Sequence, residues 1–231
     1  TYRHLQFLGQ TKHDLTQITI GWPEDPGMLP EYAQYMEGLH GTKLGNAVVV
    51  VEQMNNEGRS YGQWAKMYDR HCDFDYFFFM EDDYPPVKEN FDSILIEMFN
   101  QFYAEKNCGY LCGMVNRLRF RNHLKIKTPL HAAVSWGVSN KAVLSWIVNH
   151  RGSLPYDKGK LYHQGQNLFS FGFTEEGYTL QDVLHKYSTP YWRDSVEFYG
   201  NSKNPVLVAP MQYAVEQGVF DVVPETPFSS R

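Results

Sequence analysis

Two five-residue apolar runs, residues 47–51 and 76–80, most constrain how this chain can fold. Both runs are far too short to span a membrane, but they are typical of strands that are covered on both faces. A helix-like pattern follows each run, over residues 60–70 and over residues 91–102, where apolar side chains recur at helical spacing. Buried strands that alternate with helices predict an α/β fold with a largely parallel sheet.

The other segments continue this alternation. Residues 17–22 are a β-branched run that Pro23 stops, and residues 110–115 and 130–134 have the composition of further strands. Ser139 stands where the N-cap of the next helix is expected. Helical spacing also relates Tyr32, Tyr35, Met36 and Leu39. The sequence has no internal repeat or low-complexity linker, so we expect a single domain over residues 1–231.

Composition excludes several classes of protein. The chain has 26 acidic and 21 basic residues, and a formal net charge of −5 argues against a duplex-DNA binder. Its three cysteines are too few for a disulfide framework and favour a reducing compartment. No basic segment followed by an apolar stretch opens the sequence, so we expect no secretory signal, no membrane span and a cytoplasmic location.

Three consecutive carboxylates, Glu81, Asp82 and Asp83, follow the aromatic strand directly. Ligands of α/β sheets lie outside the carboxyl ends of the strands, and oxygen ligands of this kind suit a hard divalent cation. The alternative is a solvated acidic turn that leads into a helix whose dipole favours acids. Asp73 and Asp75 precede the strand, at the wrong end for such a site, and we interpret them as residues at the start of the strand.

Candidate ligand-binding residues also follow the two earlier strands. After the first come Gly21, Trp22, Glu24 and Asp25, and after the second come Asn55, Arg59 and Ser60. Glycine permits close approach of the backbone to a ligand, and a helix start offers free N–H groups to a phosphate. An ordinary Pro/Gly turn and an ordinary strand-to-helix loop with a serine cap are the alternatives at these two places.

These motifs, in this order, resemble the GT-A glycosyltransferases. The resemblance covers about the first 140 residues, and the compact form is also similar to small glycosyltransferases encoded by large DNA viruses, which act in a host cell. It implies a Rossmann-like, mostly parallel central sheet flanked by helices. Residues 1–140 would bind a nucleotide-sugar, and residues 141–231 would bind the acceptor. The acidic motif differs from a strict Asp-x-Asp, which leaves open which carboxylate contacts the ion.

The resemblance implies a hexosyltransferase-type enzyme that uses Mn²⁺ or Mg²⁺ and a nucleoside-diphosphate sugar. We expect the nucleoside to be uridine. Asp83 would coordinate the ion, Asp82 would contact the ribose or sugar of the donor, and Glu81 would lie beside the ion in contact with its ligands. Trp22 would stack on the base, with Glu24 or Asp25 hydrogen-bonded to uracil or ribose. The acceptor would be a glycan or another hydroxyl compound, with no nucleic acid as partner.

An inverting transferase needs a carboxylate that accepts the proton of the acceptor hydroxyl. The GT-A family often has this acid in a Gly-Glu-Asp-like motif, but residues 165–167 read Gly-Gln-Asn here. The remaining candidates are Glu175, Glu176 and Asp182, of which the glutamate pair is favoured because residues 171–174 have the composition of an acceptor loop. The alternative is a set of carboxylates at the start of a helix over residues 178–187. A retaining mechanism would need no such base.

Residues 117–127 alternate basic with mostly apolar side chains, which puts six basic or potentially basic groups on one face of a strand. A solvated hairpin face is the plain interpretation, and contact with an anionic acceptor or donor phosphate is the functional one. RNA binding is a third alternative, which the overall acidity of the chain disfavours. Two rival functions stay open for the whole chain. One is a sugar-nucleotidyltransferase, and the other is a non-catalytic carbohydrate-binding domain, which the 16% aromatic content would also suit.

Overall fold

The computed structural model describes residues 2–24, 30–81, 89–113, 115–116, 131–132, 136–158 and 162–182. The helices in these ranges are α1 (Tyr2–Gln10), α2 (Pro30–Leu39), α3 (Arg59–Arg70), α4 (Phe91–Lys106), α5 (Lys141–Arg151) and α6 (Tyr162–Glu175). The strands are β1 (Gln17–Pro23), β2 (Lys43–Leu44), β3 (Ala47–Met54), β4 (Tyr76–Met80), β5 (Cys108–Cys112), β6 (Val115–Asn116), β7 (His131–Ala132), β8 (Trp136–Asn140) and β9 (Thr179–Asp182). The α/β class is therefore confirmed. No helix in the described ranges is both long and apolar enough to cross a membrane.

The described strands form two main sheets of mixed direction. In the first, with order β1-β3-β2, β1 runs parallel to β3 over the whole of β1, and β2 is antiparallel to β3. In the second, with order β4-β8-β5-β9, β8 runs antiparallel to both of its neighbours, and β5 is parallel to β9. Strands β6 and β7 form a separate pair. The antiparallel β8 departs from the largely parallel sheet that the alternation predicts.

A single hydrophobic core joins the second sheet to helices α1, α3, α4, α5 and α6, and side chains of the first sheet pack against it. The ring of Phe169 on α6 is at its centre and is fully buried. Five rings lie 5.2–5.7 Å from it, centroid to centroid: Tyr61, Trp64, Phe79, Tyr110 and Phe173. Aromatic contacts of this kind connect α3, β4, β5 and α6 at one place.

Most of the predicted elements are confirmed, but three local predictions are wrong. The N-cap of α5 is Asn140, whose side chain accepts the N–H of Val143 at 2.9 Å. Ser139 is instead a buried residue of β8, and its hydroxyl donates to the carbonyl of Gly109 at 2.6 Å. The local sequence does not show how far β8 extends. The pairing of β8 with its neighbours therefore decides that Asn140, and not Ser139, becomes the cap.

The other two errors concern the C-terminal part of the described chain. Residues 171–174 are the last turn of α6 rather than an acceptor loop, and β9 replaces the start of the helix predicted over residues 178–187. Gly172 reduces helix propensity, but the helix needs it because a Cβ there would lie 2.5 Å from Pro155. Pairing with β5 draws residues 179–182 into a strand. Residues 183–187 lie outside the described residues.

We expect Phe169→Ala to lower the free energy of unfolding by about 3–5 kcal/mol, because it removes the ring at the centre of the aromatic core. Phe169→Leu should cost less, since it keeps part of the volume. Glu37→Ala on α2, at an exposed position, serves as the control and should change stability by less than about 0.5 kcal/mol. Urea unfolding of the three variants measures these differences, and a small loss for Phe169→Ala would contradict the assigned core.

Candidate functional site

A cavity of about 960 Å³ lies beside β1 and β4, and every residue of both strands lines it. In the described residues each of these strands is the outermost strand of its sheet, so the cavity occupies the space between the two sheets. The rest of the lining comes from helices α1, α2, α3 and α4, from residues 14–16, 71 and 73–75, and from Glu81. The volume is that of a site for a ligand of drug or cofactor size, and the lining mixes aromatic side chains with a few polar ones.

The cavity brings together four of the residues that the sequence selects. Gly21, Trp22, Ser60 and Glu81 all line it. Trp22 is buried, at 6% exposure, and its ring is edge-on to the ring of Tyr32 at 6.3 Å. Its contacts with the protein already cover most of the ring, so stacking on a base would require Trp22 or Tyr32 to move.

Three other predicted binding residues are described but do not line the cavity. Glu24 is exposed, and its backbone N–H extends the β1–β3 pairing by donating to the carbonyl of Met54 at 2.9 Å. The side-chain oxygen of Asn55 accepts a hydrogen bond from Lys66. Arg59 is exposed at the start of α3. Asp25 and the basic stripe over residues 117–127 lie outside the described residues.

The start of α3 has an unusual backbone. Gly58 and Arg59 both have positive φ, 75° and 51°, and the N-cap residue Gly58 provides no side-chain hydrogen bond to the helix. Positive φ is common for glycine but costs energy for a long side chain such as that of arginine. Ser60 follows on the cavity side. An uncapped helix start beside a cavity can accept an anionic group, and local strain is typical of ligand-binding segments.

Glu81 is the described member of the acidic cluster, and Asp82 and Asp83 lie outside the described residues. Burial raises the pKa of Tyr110 well above its usual value, and the nearby groups Cys112, Tyr61 and Glu81 raise that pKa further. Tyr110 therefore stays a neutral phenol beside the end of β4. No group of three or more His, Cys, Asp or Glu side chains in the described ranges is arranged to hold a metal ion.

The register of the second sheet relates Asp182 to the acidic cluster. Phe79 on β4 is opposite Gly137, Gly137 is opposite Cys112, and Cys112 is opposite Asp182. These residues form one row across four strands, about 14 Å from end to end at three strand spacings. Strands β4, β5 and β9 all run in the same direction and all end at this row or one residue beyond it. The backbones of Glu81 and Asp182 are therefore at the same edge of the sheet.

Glu175 and Glu176, the favoured candidates for the base, are in a different place. They lie at the end of α6, and neither lines the cavity. Arg151 on α5 binds both carboxylates, with Nη2 2.5 Å from Glu175 and Nε 2.9 Å from Glu176. Glu176 also accepts the indole N–H of Trp146 at 3.2 Å. Contacts within the protein therefore account for the position of both carboxylates, and no ligand is needed to explain it.

Sequence reasoning missed a polar network that reaches the cavity at the end of α3. Glu52 on β3 accepts hydrogen bonds from Arg70 and from His71, the latter at 2.5 Å, and His71 lines the cavity. Burial alone raises the pKa of Glu52, but the hydrogen bonds from His71 and Arg70 outweigh burial, so the net shift is downward. The sequence does contain one indication of this network. Glu52 follows the apolar run of residues 47–51 directly, and a carboxylate next to a buried strand needs a hydrogen-bond partner.

Asp92 is a second residue that the sequence did not indicate. It is 3% exposed in the first turn of α4, and its Oδ2 accepts the backbone N–H of Asp14 at 2.6 Å. Its Oδ1 has no hydrogen-bond donor among the described residues. Both aspartates line the cavity. In the sequence Asp92 is an ordinary acid in the first turn of a helix, where the helix dipole favours a negative charge.

All three cysteines are free thiols, and Cys108 and Cys112 are buried in β5. Burial raises the pKa of Cys108 to about 12, so this thiol is protonated at neutral pH.

Comparison with known proteins leaves the family open. No protein-family model matches the chain, and no curated protein gives a significant match.

We expect Gly62→Ala to disturb the loop before α3, because a Cβ at residue 62 would lie 2.0 Å from the carbonyl oxygen of Glu57. Relief of this clash should cost about 1–3 kcal/mol of stability and weaken any ligand bound at the start of α3. Gly38→Ala in α2 is the matched control, since a Cβ there meets no atom within 4 Å. It should be neutral or stabilising by up to about 1 kcal/mol. Equal effects of the two substitutions on urea unfolding would contradict the close packing at Gly62.

The Glu52 network predicts a pH dependence of stability. Because the pKa of Glu52 is lower in the folded protein than its usual 4.5, the carboxylate stabilises the fold above that pH, and the contribution is lost as the pH falls through the folded-state pKa. We expect Glu52→Gln to reduce the free energy of unfolding by about 1–3 kcal/mol at neutral pH. The difference from wild type should shrink below pH 4.5. Urea unfolding across this range, with Glu37→Gln as control, measures it, and a difference that does not change with pH would refute the assignment.

Proposed function

We propose that this chain is a GT-A-type, metal-dependent glycosyltransferase that moves a sugar from a nucleoside-diphosphate sugar, uridine-linked, to a hydroxyl group of a glycan or similar acceptor. One observation carries the proposal. The strand that leads into Glu81, Asp82 and Asp83 ends beside a cavity that Ser60 also lines, and it ends at the same sheet edge as Asp182. Acids and an uncapped helix start close to one cavity suit a ligand that carries a diphosphate.

The proposal gives the first part of the chain to the donor. The N–H groups at the start of α3 would donate hydrogen bonds to a phosphate, and Arg59 is near enough in sequence to add a positive charge. Trp22, Glu24 and Asp25 would bind the base and ribose. Trp22 or Tyr32 would have to move so that the indole ring could stack on the base. The buried Oδ1 of Asp92, which has no hydrogen-bond donor within the described ranges, adds an acceptor in the wall of the cavity, a type of group that binds sugar hydroxyls.

The acidic cluster fits a hard cation, because its three consecutive carboxylates supply only oxygen ligands. In the proposal Asp83 holds Mn²⁺ or Mg²⁺, Asp82 contacts the donor, and Glu81 lies behind them beside Tyr110. A bound divalent ion would stabilise the negative charge that develops on the leaving diphosphate.

Asp182 is the base that we propose for an inverting reaction. Its strand ends at the same sheet edge as β4, whereas the carboxylates of Glu175 and Glu176 are paired with Arg151 away from the cavity. A row of about 14 Å between the two strand ends leaves room for a sugar between a metal site and a base. The carboxylate would accept the proton of the acceptor hydroxyl as that oxygen attacks the sugar.

Three free cysteines agree with action in a reducing compartment, and we propose the cytoplasm, which for a virus-encoded enzyme is that of the host.

Calorimetric titration with UDP and GDP, with Mn²⁺ and with a chelator, tests the proposal. We expect binding with Mn²⁺ and at least a tenfold loss of affinity with chelator, about 1.4 kcal/mol. Asp83→Asn should remove the metal dependence, while Glu97→Gln, an exposed acid on α4, should leave it unchanged. No binding of either nucleotide under any condition would refute the transferase assignment. Nucleotide-independent glycan binding alone would favour a carbohydrate-binding domain, and nucleoside-triphosphate turnover with a sugar phosphate would favour a nucleotidyltransferase.

A further inference from the structure

A tryptophan on α5 is exposed but held in a fixed orientation. Trp146 is 48% exposed, and its indole N–H donates to Glu176 at 3.2 Å. The ring of His150, one turn later, lies 4.1 Å from the indole ring, centroid to centroid. The His150 ring is in turn hydrogen-bonded to the carbonyl of Trp146 at 2.8 Å. A large apolar surface that is exposed and already ordered loses little conformational entropy when it binds a partner.

Charged groups next to this ring are fixed as well. Arg151 binds Glu175 and Glu176, and its guanidinium lies 5.8 Å from the ring centroid of Phe171. The surface therefore presents one aromatic ring bordered by carboxylate oxygens and guanidinium N–H groups at set positions. We call Trp146, His150, Arg151, Glu175 and Glu176 the Trp146 surface.

The size of the apolar part argues against a protein partner. The other large apolar side chains that are exposed in the described chain, Tyr32, Val48 and Tyr103, belong to α2, β3 and α4. Trp146 is thus the one such side chain among those that the structure describes in α5 and α6, which in α6 begin at residue 165. A stable protein interface buries about 800 Å² per partner around an apolar core, and a lone ring does not provide that core.

The charge argues against nucleotides and nucleic acids. One arginine faces two glutamates, so these three groups carry a net charge of −1 when ionised, which repels phosphate. A single aromatic ring with nearby hydrogen-bonding groups instead matches a sugar, whose C–H face packs on the ring while its hydroxyls pair with carboxylates and guanidinium.

We propose that the Trp146 surface binds an uncharged carbohydrate, at a site separate from the cavity. The site needs neither a metal ion nor a nucleotide, so the proposal does not depend on the transferase assignment. Glu175 and Glu176 then act in glycan recognition through their contacts with Trp146 and Arg151.

Calorimetry with neutral gluco-, manno- and galacto-oligosaccharides, in chelator and without nucleotide, tests this site. We expect wild type to bind at least one of these probes with a dissociation constant of about 1 mM or lower. Trp146→Ala should weaken that binding at least tenfold, and Trp146→Phe should keep part of it. Tyr103→Ala, which removes an aromatic side chain of similar exposure on α4, should not change it.

Circular dichroism and urea unfolding check that both alanine variants remain folded, which the exposure of the two side chains favours. The proposal is overturned if wild type binds none of the probes at concentrations of about 10 mM, well above that dissociation constant. It is overturned equally if Trp146→Ala and Tyr103→Ala bind the sugar as tightly as wild type. Because the titrations contain chelator and no nucleotide, their outcome is independent of the test of the transferase.

Discussion

The packing of aromatic rings around Phe169 is the contact on which the rest of the described structure depends. It joins a helix that follows the first sheet, α3, to a strand of the second sheet, β4, and to the late helix α6. Because rings at this spacing tolerate little change in volume, the cluster also fixes the distance between the start of α3 and the end of β4. The polar groups of the candidate site are carried by these two ends.

Strand β8 then determines where the chain ends of the second sheet meet. Its antiparallel pairing with both β4 and β5 makes those strands parallel to each other without placing them side by side. The parallel strand β9 extends the same edge on the far side. Strands β8 and β5 therefore separate the backbones of Glu81 and Asp182 by about three strand spacings, whereas adjacent strands would bring the two residues close together. The sheet order thus serves as a spacer for the candidate site.

Strands β1, β3 and β4 and helices α2, α3 and α4 could be predicted because each has its own periodic apolar pattern. What could not be predicted depends on partners distant in the chain. Helix α6 contains glycines that lower its propensity, and their value is visible only when Tyr61 and Pro155 pack against them. Similarly, Glu175 and Glu176 resembled free acids because nothing in the sequence relates them to Arg151. At the cavity, Gly21, Trp22, Ser60 and Glu81 are among the residues that the strand ends predict, whereas Glu24, Asn55 and Arg59 do not line it. His71 and Asp92 required the three-dimensional structure, because no local pattern relates them to the cavity.

The left-handed backbone of Arg59 has a further consequence. A residue with a long side chain in this conformation is about 1 kcal/mol less stable than glycine would be, so the start of α3 is not optimised for folding. Proteins often retain such local costs where function requires the side chain. The first residue of the helix is thus slightly strained in the folded protein. A ligand that contacts Arg59 or the neighbouring amides would bind to a backbone that already has this conformation. The contacts of Tyr61 and Trp64 with Phe169 hold α3 in the aromatic core directly after this turn.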